Sequence, residues 1–87
     1  MMLSIAAIAQ TTVKGVVVDG STNESLPGAS IVVAGTTSGT VSGFDGSFAF
    51  ELPKGATKLV VSFVGFLDKA IALKGAQDLG PIKLDSN

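Results

Sequence analysis

From Thr12 onward, short apolar runs alternate with glycine-rich and polar clusters at spacings of about 8–12 residues, the rhythm of strands and turns. No stretch has the i, i+3, i+4 periodicity of an amphipathic helix. The runs predict seven strands, at 13–19, 29–34, 39–42, 47–52, 58–64, 67–73 and 81–85. In the fourth, Phe48 and Phe50 share one face while Ala49 and Glu51 share the other, so the phenylalanines should point inward. The fifth is almost continuously apolar and predicts a central strand covered on both faces or nearly so. Lys58 at one end of it and Asp68-Lys69 beyond the other read as charged guards against edge-to-edge pairing.

The breaks carry their own chemistry. Asp19, Ser21, Asn23 and Glu24 surround Gly20, and such side chains bond nearby backbone in turns. Pro27-Gly28 launches the second strand, and Pro53-Lys54-Gly55 turns the chain into the fifth. Gly43-Phe44-Asp45-Gly46 is the sharpest signal, because Asp-Gly supplies the positive φ angles of a tight hairpin.

Residues 1–9 differ from the rest. MMLSIAAIAQ closes on Ala7-Ile8-Ala9, the small-x-small pattern that signal peptidase accepts, so 1–9 reads as a signal-peptide remnant and 10–87 as the mature domain. The basic front of a signal is missing, since no basic residue precedes Lys14; a frayed tail or an extra edge strand is the other reading.

Composition narrows the function classes. Eighty-seven residues allow one core. The net charge of −1, with all six basic residues lysine, builds no field that would hold nucleic acid. No run reaches the ~20 apolar residues of a transmembrane helix, so direct membrane insertion is not expected. Histidine, arginine, cysteine, tyrosine and tryptophan are all absent, which removes the commonest general base, the bidentate anion clamp and the most reactive nucleophile. No enzyme activity, cofactor or catalytic residue is expected.

Two residue sets invite a ligand and are better explained without one. The oxygen-rich 19–24 loop lacks the spacing of a calcium-binding EF-hand, and turn chemistry alone accounts for it, so no metal site is expected. The glycines at 35, 39, 43 and 46 lack the lysine and helix of a phosphate-cradling loop and read as turn residues. Phe44, Asp45 and Phe66, in or beside turns, are the candidate partner contacts, although for the two phenylalanines capping the core is the stronger expectation.

Four ordered segments, VKGVVVD, LPGASIVVAGTTSGT, FDGSFAFELPKGATKLVVSF and VGF, cover most of 13–66. Over 13–84, with these segments carrying the likeness, the chain resembles the carboxypeptidase-regulatory-like domain found ahead of the plug in SusC-like TonB-dependent outer-membrane receptors. Phe63 and Phe66 stand where the family has tyrosines, and Ser42-Gly43 where it tends to have Thr-Asp. The resemblance implies an all-β, seven-stranded Greek-key β-sandwich of the prealbumin (transthyretin) kind, without catalytic residues. It implies an exported protein of the periplasm or outer membrane, serving as a non-catalytic accessory domain in glycan or peptide uptake. Its partner would be the plug and barrel of a larger receptor, or a periplasmic protein. The alternative is a free-standing or surface-tethered module that binds a glycan or protein through its loops.

Overall fold

A computed structural model of the chain describes residues 11–73 and 78–87, and the signal-remnant reading of 1–9 falls outside them. Seven strands form: β1 (Thr11–Asp19), β2 (Ser30–Val33), β3 (Gly39–Val41), β4 (Ser47–Leu52), β5 (Lys58–Ser62), β6 (Lys69–Ala72) and β7 (Asp78–Leu84). They make a three-stranded sheet in the order β4-β1-β7 and a four-stranded sheet in the order β3-β2-β5-β6. β1 lies antiparallel to β4 and parallel to β7, while every pair in the four-stranded sheet is antiparallel. After β4 has crossed to the other sheet, β5 returns beside β2, which is the Greek-key path through a sandwich.

Alternation builds the core. Val13 and Val17 of β1, Phe48 of β4 and Ile82 and Leu84 of β7 face Ile31, Val33, Leu59 and Val61 of the second sheet, all buried. Phe50 and Leu52 pack against the same cluster half-buried, as the alternation of β4 requires, with Ala49 and Glu51 exposed. Gly15 occupies an inward position opposite Phe48; a Cβ there would come within 3.0 Å of the ring. Its missing side chain is the space that the ring fills.

Two readings of the apolar 58–64 run change. The strand stops at Ser62, because Gly65 (φ 89°) forms a turn closed by the Phe66 N–H donating to the Phe63 carbonyl at 3.0 Å. β5 is central, but only one of its faces is buried: Leu59 and Val61 are enclosed while Val60 and Ser62 stay half-exposed on the outside. Lys58 therefore guards no edge. Lys69 does, since β6 is an edge strand and the Lys69 Nζ donates to the Lys83 carbonyl of β7 at 3.1 Å, bridging the two sheets along one side.

Gly43–Gly46 is likewise not a hairpin, because β3 and β4 belong to different sheets. The Gly46 N–H donates to the Gly43 carbonyl at 2.9 Å, and only Gly46 of the four has a positive φ (82°). Glycine at the last position fits a type I turn, which here carries the chain between sheets.

Candidate functional site

The strand directions gather the loops at 20–29, 42–46 and 63–68, together with residues 85–87, at one end of the sandwich. Backbone bonds stitch these pieces together. The Val17 N–H donates to the Gly46 carbonyl at 2.8 Å, the Leu26 N–H to the Val17 carbonyl at 2.9 Å, and the Leu67 N–H to the Asp85 carbonyl at 2.8 Å. The Asn87 N–H reaches the Gly65 carbonyl at 2.9 Å, and Phe66 pairs with Ser86.

The three candidate contacts all lie at this end but in different states. Phe44, 96% exposed, stands out of its turn into solvent, which overturns the expectation that it caps the core. Asp45 beside it is spent on the turn: its carboxylate accepts from the Ser47 hydroxyl at 2.6 Å and the Ser47 N–H at 3.1 Å. These bonds, the hydroxyl's first, hold the Asp45 carboxyl below its ordinary range. Phe66 does cap the core, half-buried against it with its ring 5.8 Å from that of Phe63. The exposed apolar companions of Phe44 at this end are instead Val64, 88% exposed at the tip of the 63–66 turn, and Leu67, 52% exposed just beyond it. Gly28, Ser30, Ser62, Phe63 and Val64 line a shallow groove of about 420 Å³.

Sequence reasoning missed Ser42. Buried, it accepts from the Ala29 N–H at 2.8 Å and donates to the Leu26 carbonyl at 2.6 Å, while its own backbone pairs with Gly28 and Ala29. This one hydroxyl satisfies two buried backbone groups of the Pro27-Gly28 turn. Only the family pattern hinted at it: the hydroxyl of the usual Thr-Asp survives and the acid does not.

The oxygen-rich 19–24 loop is ordinary turn structure. The Asp19 carboxylate accepts from the Ser21 N–H at 2.8 Å, the Thr22 hydroxyl accepts from the Glu24 N–H at 3.2 Å, and Asn23 takes the left-handed conformation (φ 64°). No group of three or more acidic side chains converges among the described residues. The glycines at 35 and 39 belong to the β2–β3 hairpin, at the opposite end from Gly43 and Gly46, so the four form no common cradle.

These features define a prealbumin-type β-sandwich whose distinctive surface is a loop end bearing exposed apolar tips. The CarboxypepD_reg-like domain model matches residues 13–86, and the chain belongs to that family. It is 49% identical over 67 residues, 76% of its length, to the TonB-dependent receptor SusC of Bacteroides thetaiotaomicron. It is 38% identical over 68 residues (78% of the chain) to TonB-dependent receptor P3 and 33% over 66 residues (76%) to TonB-dependent receptor P39, both of Formosa agariphila. The chain spans only 6–7% of the length of these relatives.

Proposed function

We propose that this chain is a non-catalytic accessory domain of a TonB-dependent outer-membrane receptor for nutrients, glycan or peptide, standing on the periplasmic side. The observation that carries the reading is the 49% identity to a SusC receptor across three quarters of the chain, within a domain family that the whole sandwich matches. The absence from the sequence of histidine, arginine and cysteine supports a role in assembly or coupling to the energising machinery rather than in chemistry. Two measurements test it. The reading frame should continue past the codon for Asn87 into a TonB box, plug and barrel; a stop codon there overturns the proposal. In cells, an epitope at the 34–38 turn should resist added protease until the outer membrane is permeabilised, and cleavage on intact cells would place the domain on the wrong side.

Phe44 and Val64, projecting at one end, favour a second reading as a tethered module that binds a protein or glycan. An oligosaccharide panel tests the glycan form, since saturation at 100 times Kd adds about 2.7 kcal/mol of stability and raises Tm visibly. No shift across the panel overturns the glycan form.

A further inference from the structure

The tripeptide Asp-Gly-Ser occurs twice in the chain, at 19–21 and at 45–47, both times at the loop end of the sandwich. In each copy the carboxylate accepts the N–H of the serine two residues on, at 2.8 Å from Ser21 to Asp19 and at 3.1 Å from Ser47 to Asp45. An aspartate followed by glycine is open to attack by the glycine nitrogen on its own side chain, because no Cβ shields that nitrogen or restricts the rotation that brings it round.

The reaction needs only water. The glycine N–H loses its proton as the nitrogen bonds to Cγ of the neutral carboxyl, the Cγ–OH bond breaks, and one water leaves behind a five-membered imide. Water from solvent then opens the ring. Addition at Cγ restores aspartate; addition at the backbone carbonyl gives isoaspartate, in which the main chain runs through the β-carbon. In either copy the glycine N–H must first leave its acceptor.

The fold separates the copies by what that acceptor is. The Gly20 N–H donates to the Leu84 carbonyl of β7 at 2.8 Å and the Asp19 N–H to the Glu24 carbonyl at 2.8 Å, so reaction there requires β1 to part from β7. Residues just beyond β7 are pinned in turn, by the bonds from Leu67 to Asp85 and from Asn87 to Gly65. The Gly46 N–H is held within its own turn, by the Gly43 carbonyl at 2.9 Å, beside an exposed Asp45. Opening one turn is a local fluctuation, sampled far more often than separation of paired strands. One contact works against it: the Ser47 hydroxyl donates to the Asp45 carboxylate at 2.6 Å, a bond with no counterpart at Asp19 among the described residues. That bond favours the ionised carboxylate, the form that does not react.

We propose that Asp45-Gly46 is a site of spontaneous isoaspartate formation in the folded chain, that Asp19-Gly20 is protected by its strand pairing, and that the Ser47 hydroxyl restrains the reaction at Asp45. The lengthened main chain displaces Gly46, whose carbonyl takes the Val17 N–H at 2.8 Å and whose Cα lies so close to β1 that a Cβ would stand 2.7 Å from the Val17 carbonyl oxygen.

The two copies are their own control. The full 87-residue chain is aged at mildly acidic pH, folded or in urea, and isoaspartate is assigned by electron-transfer fragmentation of the tryptic peptide 15–54, which holds both pairs because no lysine lies between Lys14 and Lys54. In the folded chain Asp45 should convert at least about tenfold faster than Asp19, and in urea the two identical tripeptides should convert within about twofold of each other. Ser47→Ala should raise the folded-state rate at Asp45 about threefold, with Asp19 unchanged and no such rise in urea, while Ser47→Thr, which keeps a hydroxyl, should match the parent. Equal rates at the two sites in the folded chain, faster conversion of Asp19, or no isoaspartate at Asp45 over the time in which the urea-unfolded chain converts half of its own, each overturn the site. An Asp45 rate in folded Ser47→Ala equal to the parent's, or a rate in Ser47→Thr raised as far as in Ser47→Ala, overturns the restraint.

Discussion

Two turns at the same end of the sandwich each span four residues, the first with one aromatic ring and the second with two, and they dispose of these rings in opposite ways. Gly43–Gly46 holds Phe44 out in water, while the 63–66 turn tucks Phe66 against the core and leaves Val64 at its tip. The difference lies in what each turn connects. The first crosses between sheets beside the open edges of β3 and β4, with no element beyond it to receive a ring. The second is pinned by the final residues, through the pairing of Phe66 with Ser86 and the bond from Leu67 to Asp85, which fold Phe66 back over the core. A turn's shape is local, but where its side chains go depends on the neighbours supplied by distant parts of the chain.

Substitutions can break this contrast. The largest effect is expected from Gly46→Ala: φ is 82° and a Cβ would lie 2.7 Å from the Val17 carbonyl oxygen, so strain and a displaced β1 contact should cost about 3 kcal/mol in chemical denaturation. Phe66→Ala should cost about 2 kcal/mol, below the range for a fully buried ring because part of its surface is already wet; a loss under 0.5 kcal/mol would dissolve the distinction between Phe44 and Phe66. Gly65→Ala should cost only about 1 kcal/mol, since its φ of 89° is equally unfavourable but nothing lies within 4 Å of the added methyl. Phe44→Ala should change stability by less than about 0.5 kcal/mol, and a Tm drop matching that of Phe66→Ala would show that Phe44 packs after all.

The smallest effect is electrostatic. The carboxyl of Asp45 is held below its ordinary value by the Ser47 hydroxyl and N–H, so its contribution to stability is present above the unfolded value and disappears as pH falls through the lowered folded one. Between pH 5 and 2, the Ser47 amide resonance should titrate with a midpoint below the ordinary range in the parent, and Asp45→Asn should abolish that titration. A midpoint at or above the ordinary value would mean that the two bonds do not form in solution.

Much of the molecule is legible from its residues. Ser47–Leu52 appears with its predicted bounds, Phe48 and Phe50 face inward, and all seven strands lie where apolar runs are separated by turn residues. The site is less legible. The candidate contacts separate into an exposed ring, a carboxylate engaged by its own turn and a half-buried cap, and Val64 and Ser42 emerge only from the assembled structure. Ser42 shows why: a serine among small residues carries no signal until the loop it satisfies, sixteen positions away at Leu26, is folded against it.

What the sequence by itself determines here is local: strand spacing, the inward row of β4 and the positions that need glycine, because backbone dihedrals and the two-residue pleat are properties of neighbouring residues. Membership of the CarboxypepD_reg-like family is equally legible, since its ordered motifs survive as text. Only the tertiary structure decides which sheet each strand joins, that the Asp-Gly turn bridges two sheets rather than closing a hairpin, and that Phe44 is wet while Phe66 is covered. It also leaves the outer face of β5 open. Pairing and burial are set by residues tens of positions apart, and no pattern within one strand records which of its faces will find a partner.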